Sequence, residues 1–298
     1  MRVLVTGGAG FIGGHLVRKL LEDPAVTVRS LDNLYRGRST FAGTPRVEFL
    51  VGDVRDRQSV RAAMHDVDLV YHLAAQSNVL GAVADLDYSF TTNVAGTFEV
   101  LAAARECRVR RVLFTSSREV YGEAAALPVP ESAPLNPKNA YGASKAAGEL
   151  YCRVFAESGM DVVVLRLANV YGPGDSGRVI PLFLADALKG RPLSIYGEDK
   201  VLDFVWIGDV VDALVELQAA PAAGQTINIG SGQGTALREL AERILRLTGS
   251  SSAIEPAAAR KAETDRFVAD IRLAERLLDY HPSTALAHLS EVAAGFTP

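Results

Sequence analysis

Tyr141 and Lys145 stand four residues apart in Tyr141-Gly142-Ala143-Ser144-Lys145, the spacing that puts two side chains on one face of a helix. A phenol with a pKa of about 10 is a poor base at neutral pH. A neighbouring ammonium, like any cation held beside the ring, favours the phenolate, so Tyr141 reads as a general base for an alcohol under oxidation. The bland alternative is an exposed helical pair. Thr115-Ser116-Ser117 closes an apolar strand through Phe114. A hydroxyl there lies at the mouth of a sheet, where Ser117 can bond the oxygen that Tyr141 deprotonates; otherwise it is an ordinary serine-rich strand end.

A second constellation opens the chain. The strand Val3-Leu4-Val5 runs into Thr6-Gly7-Gly8-Ala9-Gly10-Phe11-Ile12-Gly13 and then a helical stretch. Gly7 suits the tight turn, Gly10 leaves room for a pyrophosphate beside the backbone, and Gly13 lets the helix pack on the strand. The free N–H groups of the helix start favour phosphate. The strand from Val26 to Leu31 ends in Asp32, 19 residues after Gly13, with Asn33 behind it. A carboxylate there accepts hydrogen bonds from an adenosine ribose and repels a 2′-phosphate. The expected cofactor is therefore NAD, although Arg36 and Arg38 lie near enough to accommodate NADP.

These groups need a scaffold, and the alternation of elements supplies one. Short β-branched runs at 46–51, 68–73, 111–116 and 161–167 alternate with helical stretches. That predicts a doubly wound parallel α/β sheet with ligands at the carboxyl ends of its strands. After Tyr171 the texture shifts to loops, short strands and helices near 181–189, 209–217 and 237–247, with 250–259 expected as loop. The expected division is a dinucleotide-binding part, 1–168 plus roughly 203–225, and a smaller discontinuous α/β substrate part, 169–202 plus roughly 226–298. The chain has 298 residues, 48% hydrophobic and 22% charged, with a net charge of −4. This fits an ordinary globular protein and argues against nucleic acid or an anionic membrane as partner. Met1 leads straight into a strand, no apolar run reaches the roughly 20 residues of a membrane span, and Cys107 and Cys152 have no metal-ligand spacing. A cytoplasmic protein without a metal is expected.

The ordered motifs resemble those of the extended short-chain dehydrogenase/reductase family, in particular its nucleotide-sugar epimerases and dehydratases. The resemblance spans nearly the whole chain. Beyond the glycine turn it rests on Gly52-Asp53-Val54, His72-Leu73-Ala74-Ala75, Asn93-Val94-Ala95-Gly96-Thr97, Thr115 to Gly122, the Tyr141–Lys145 segment and Arg166 to Gly174. It implies that Asp53 and Val54 hold the adenine. Leu73, Ala74 and Ala75 would line the middle of the cofactor, Asn93 would support the strand ends, and Lys145 would bind the nicotinamide ribose. For the substrate it implies contacts at Ser77, Ser117, Arg118, Asn169, Arg178, Val179, Tyr196 and Arg266. Many relatives carry an arginine where this chain has Leu202; Arg178, Lys200 or Arg266 could replace it. Dehydratases of the family resemble Ser/Thr-Asp-Glu where Ser117-Arg118-Glu119 stands, so Glu119 matches a C5 base and Arg118 displaces the acid. Arginine keeps its charge and is no proton donor. Arg118 reads as an anchor for a uronate carboxylate or as a surface arginine paired with an acid.

The expected reaction is NAD-dependent 4-epimerisation of a nucleotide sugar, a UDP-hexose or UDP-uronate, through a 4-keto sugar. The alternatives are 4,6-dehydration and decarboxylation of UDP-glucuronate. A non-catalytic NAD-binding scaffold is the remote one, since Tyr141, Lys145 and Ser117 are all present. The resemblance also implies a homodimer, paired through the apolar faces of a helix from about Asn93 to Glu106 (Val94, Phe98, Leu101) and one from Tyr141 to Glu157 (Leu150, Val154).

Overall fold

The computed structural model describes residues 1–37, 41–197 and 199–296. Arg38 and Glu198 lie outside the described residues. In chain order the elements are β1 (Arg2–Thr6), α1 (Phe11–Leu20), β2 (Thr27–Asp32), β3 (Val47–Val51), α2 (Arg57–Met64), β4 (Leu69–His72), α3 (Val79–Ala84) and α4 (Leu86–Phe90). A π-helical stretch, Thr91–Ala95, leads into α5 (Gly96–Glu106). Next come β5 (Arg111–Ser117), a 3₁₀ turn at Arg118–Val120, α6 (Ala140–Glu157), β6 (Val162–Leu167), β7 (Asn169–Tyr171), α7 (Val179–Leu188), β8 (Leu193–Tyr196), β9 (Val201–Trp206) and α8 (Ile207–Glu216). The chain ends with β10 (Thr226–Ile229), β11 (Gly234–Ala236), α9 (Leu237–Thr248), β12 (Ile254–Ala257), β13 (Arg266–Phe267), α10 (Arg272–Leu278) and α11 (Leu289–Ala294). Among the described residues no helix is long and apolar enough to cross a membrane.

Among the described residues seven parallel strands form the main sheet, in the order β3-β2-β1-β4-β5-β6-β10. The order reverses between β1 and β4, the switch point at which doubly wound sheets bind ligands. The central strands are wholly buried, as β4, β5 and β6 illustrate, because helices cover both faces. One layer packs Leu16, Val17 and Leu20 of α1 with Val210 and Leu214 of α8 against Val3, Val5 and Leu165. The other packs α2, α5 and α6 through Met64, Leu101, Cys152 and Phe155 against Leu4, Val112 and Phe114. Leu101 is therefore core and not part of an outward face.

A smaller unit sits beside the sheet. β9 pairs with β11 antiparallel and with β13 and β7 in parallel. Its core includes Ile180, Phe183, Phe204, Leu240, Ile244 and Leu289. The Asp203 carboxylate organises this unit, accepting from the amides of Ser231, Gly232 and Ala269 and from the Ser231 hydroxyl. Two sequence expectations change. The 250–259 segment contains β12, paired with β8. The Thr226–Ile229 strand, assigned on sequence to the smaller part, is the edge strand of the main sheet.

Candidate active site

The carboxyl ends of six main-sheet strands open into one cleft of about 950 Å³. Its floor is the glycine turn. Gly7 has a φ of +76°, and a Cβ there would lie 2.7 Å from the Ala74 nitrogen. A Cβ on Gly13 would sit 2.2 Å from the Gly7 carbonyl oxygen, so both glycines are fixed by packing. Gly10 is different. Its Cβ would meet only the Gly7 oxygen, at 3.2 Å. It caps α1 without a side-chain hydrogen bond, and the free first-turn amides of Phe11, Ile12 and Gly13 border the cleft. A bare helix start with room above it is an anion cradle.

Asp32 lines the same cleft. Its two oxygens accept from the Ala9 amide at 3.0 Å and the Leu34 amide at 2.8 Å. These bonds fix the carboxylate while leaving lone pairs for a ribose. Asn33 donates to Asp53 at 2.9 Å and to the Tyr88 hydroxyl at 3.2 Å. Val54 borders the cleft, whereas the Asp53 carboxylate turns to Arg55 in a two-pronged contact at 2.9 and 2.8 Å. Burial alone would raise its pKa, but the bonds from Arg55 and Asn33 outweigh burial and lower it to about 2. Tyr35 and Tyr88, with ring centroids 4.7 Å apart, add an aromatic wall. The glycine cradle and the acid fit a dinucleotide with an unphosphorylated adenosine ribose.

Past the switch point, Leu73, Ala74, Ala75 and Ser77 border the cleft. Thr6 holds them, since its hydroxyl bonds His72 Nδ1 at 2.8 Å and receives the Ala74 amide at 3.2 Å. Burial and the Lys145 charge push His72 down to about 3, so it is a neutral structural imidazole. Asn93 lies behind this wall, in the π-helical stretch. It receives the Gln76 amide at 2.8 Å and donates to the Gln76 carbonyl at 3.0 Å and the Ser144 hydroxyl at 2.8 Å. It thereby ties the end of β4 to α6.

α6 starts at an Asn139 cap, which accepts from the Gly142 amide at 2.8 Å. That cap places Tyr141 and Lys145 over the cleft with Ser117, Arg118 and Glu119 opposite. The Lys145 amine is buried and donates to the Thr115 carbonyl at 2.8 Å. Burial lowers it to about 8, against the opposing Cys152 and Glu149. Burial raises the Tyr141 phenol above its ordinary value. Arg178, the Ser117 hydroxyl and Arg118 pull it down, while Glu119 pushes with burial. In the chain itself desolvation dominates the phenol, and Arg178 heads the groups that oppose it.

Arg118 is not a surface residue. It is 9% exposed. Its Nη2 meets Glu119 Oε1 at 2.7 Å, and its Nε donates to Asn169 Oδ1 at 3.2 Å. Glu119 Oε2 accepts from Asn139 Nδ2 at 2.8 Å and lies 3.5 Å from the Thr264 hydroxyl. Asn169 lines the cleft and donates to the Asp203 carbonyl at 3.0 Å. Arg178 also lines it, paired with Asp175 at 2.6 Å.

Val179, Tyr196 and Arg266 do not border this cleft. Val179 opens α7 and packs against the core of the smaller unit. Arg266 is exposed on β13. Tyr196 lies under Arg260, whose guanidinium carbon is 3.6 Å from the ring centroid. Lys200 is buried against Glu263, which leaves Arg178 as the cleft-lining member of the three candidates to replace an arginine at Leu202. The sequence reading missed Thr6, Asn139 and Arg260. A capping signal two residues before Tyr141 marks Asn139, whereas nothing local links Arg260 to Tyr196.

Comparison with known proteins identifies the family. Residues 3–230 match the model of the NAD dependent epimerase/dehydratase family. The chain is 37% identical over 300 residues to UDP-glucose 4-epimerase of Mycolicibacterium smegmatis, covering 96% of this chain and 95% of that protein. The structure of UDP-glucose 4-epimerase from Thermotoga maritima, solved with UDP-glucose, superimposes with a TM-score of 0.94 at 31% identity, covering 99% and 98% of the two chains. The dTDP-glucose 4,6-dehydratase of Streptomyces venezuelae, solved with NAD, also gives 0.94, at 36% identity and 99% and 96% coverage. Matched by that model over most of its length and by relatives above 30% identity along nearly all of it, the chain belongs to the NAD-dependent epimerase/dehydratase family.

Proposed function

We propose that the chain is a nucleotide-sugar 4-epimerase acting on a UDP-hexose or UDP-uronate. The observation that carries this reading is the contrast between two groups in one cleft. Ser117 and Tyr141 line it together as a hydroxyl and a phenol, whereas both oxygens of Glu119 are already engaged by Arg118 and Asn139. The first couple suits oxidation of a secondary alcohol. The second leaves little capacity for proton transfer at C5 or C6.

Tyr141 takes the proton of the sugar 4-hydroxyl while Ser117 bonds the same oxygen. A bound NAD would supply reversible hydride acceptance at C4. Lys145 holds the nicotinamide ribose and adds positive charge beside the phenolate. Turning the 4-keto sugar before hydride returns inverts C4, and Tyr141 gives its proton back to the oxygen. Asn169 and Arg178 are positioned to meet the diphosphate. The working unit is a homodimer, supported by apolar side chains left outside on neighbouring helices: Leu86, Phe90, Phe98, Leu150 and Val154.

Incubation with UDP-glucose, UDP-N-acetylglucosamine, UDP-glucuronate and dTDP-glucose in D2O, read by NMR, tests the reaction. The expected product is a C4 epimer without solvent deuterium on carbon. A 4-keto-6-deoxy sugar would establish dehydration, and a pentose with carbon dioxide would establish decarboxylation.

A further inference from the structure

Arg118 and Glu119 form an ion pair in the wall of the cleft, 2.7 Å apart with each residue less than a tenth exposed. A buried pair of this kind contributes little net stability, but removing one partner strands a charge in low dielectric. What it touches is informative. Glu119 Oε2 holds Asn139, and Asn139 caps the helix turn that carries Tyr141. The Glu119 backbone is pressed onto the same turn, since a Cβ on Gly142 would lie 2.4 Å from the Glu119 carbonyl oxygen. Arg118 reaches the other way through Asn169 to the Asp203 backbone in the smaller unit. Its Nη1 is buried without a partner among the described residues, while Nε and Nη2 are committed to Asn169 and Glu119.

We propose that Arg118 is the internal counter-ion of Glu119, and that the pair is a fixed neutral unit which positions Tyr141 through Asn139 and confines Glu119. Both are positioning residues. A bare carboxylate beside the reactive phenol would do two things. It would oppose formation of the phenolate, and it would offer a second proton acceptor at the bound sugar. Arg118 removes both effects, so proton transfer stays with Tyr141 at C4. The other charges facing Tyr141 are Arg178 with its partner Asp175 from the loop before α7, and Lys145 from the next turn of α6. They are common to every variant considered below. This proposal rests on the reading of Tyr141 as the base, and it explains how one cleft can hold an acidic side chain and still act at a single carbon.

The test is titration of the Tyr141 phenol in the holoenzyme. It is followed by tyrosinate absorbance as the difference between each background and the same background carrying Tyr141→Phe. Arg118→Met leaves Glu119 uncompensated, so the midpoint should rise by about one pH unit. Glu119→Gln leaves Arg118 uncompensated, so it should fall by about as much. The double variant should return close to wild type, and Arg118→Lys, which keeps the charge, should stay there. The acid limb of kcat/KM should move with the phenol. An unchanged midpoint in Arg118→Met overturns the proposal, as does a double variant that stays displaced. So does a rise in KM alone, which would make Arg118 a substrate contact. If Arg118→Met fails to fold, Glu119→Gln and the double variant carry the same comparison. If the phenol behaves as expected and no nucleotide sugar is turned over, the epimerase reading fails and the counter-ion stands.

Discussion

Lys145 shows how a reactive site costs stability. Its amine has one protein acceptor, the Thr115 carbonyl, and lies 4.9 Å from the centroid of the Phe114 ring. Burial lowers it from 10.5 to about 8, which corresponds to roughly 3 kcal/mol against the charged form. Between those two pH values the unfolded chain binds the extra proton, so stability rises with pH through that window. Lys145→Met removes the penalty but strands the Thr115 carbonyl. The cofactor-free variant should gain about 1–2 kcal/mol at pH 7 and lose that advantage by about pH 10, as denaturant melts at the two pH values would read. A variant less stable at pH 7 would show that the burial penalty is already offset. Tyr141→Phe removes only the hydroxyl; turnover should fall by roughly 10²–10⁴ with circular dichroism unchanged. Near-normal turnover would take the phenol out of the mechanism. At this scale the sequence was readable wherever function sits at fixed local spacing, as in the glycine turn and Tyr141–Lys145. It was mute on partners brought by the fold. Glu119 is 20 residues from Asn139, and Arg260 reaches Tyr196 across 64 positions of chain (260 − 196); neither distance leaves a pattern.

Among the elements, the β1–α1 turn separates glycines needed for folding from a glycine left open for a ligand. Gly13→Ala drives a methyl into the Gly7 carbonyl and should cost about 1–3 kcal/mol together with cofactor binding. Gly10 has an extended backbone, φ −77° and ψ 178°, that any residue adopts. Gly10→Ala should therefore melt within about 1 kcal/mol of wild type yet lose NAD affinity, because its methyl points where the phosphates must come. Thermal melts paired with nucleotide titrations would read both, and tight NAD binding by Gly10→Ala would remove the cradle. β1 and β4 to β6 were legible because burial on both faces writes apolar runs, and β2 and the half-exposed edge strand β3 because their short runs fall in the same alternation with helices. β12 was not. Ile254-Glu255-Pro256-Ala257 is partly exposed and contains a proline, which an edge strand tolerates and a pattern search discounts. β10 was visible as a strand but not as a member of the main sheet, because four residues carry no record of which edge they join.

For the whole molecule, the outward face of α4, α5 and α6 is the surface through which the proposed dimer would form. Leu86, Phe90 and Val154 are 61%, 60% and 57% exposed, and Phe98 packs edge-on against Tyr151 at 5.5 Å. Apolar groups gathered on adjoining helices mark an interface more often than they lie bare to water. Light scattering should give a dimer mass, and Phe98→Glu combined with Val154→Arg should give a monomer that keeps its fold. A wild-type monomer at micromolar concentration would defeat this. Sequence periodicity placed Phe98 and Val154 outside correctly but put Leu101 with them, because one helix carries two apolar stripes and only the sheet decides which stripe it covers.

The position of β10 has a consequence for synthesis. A ribosome releases β6 well before β10, with α7, β8, β9 and α8 made in between. Until Thr226–Ile229 emerges, the amides and carbonyls along one side of Val162–Leu167 have no strand to pair with. Such a bare border recruits other chains. Phe267, Leu278 and Tyr280, which complete the core beneath the main sheet, arrive later still. The nascent protein thus carries its nucleotide cradle early and its protection late. The interval between the two is when it most needs a chaperone, and when a premature stop codon would yield a sticky fragment instead of a smaller working domain.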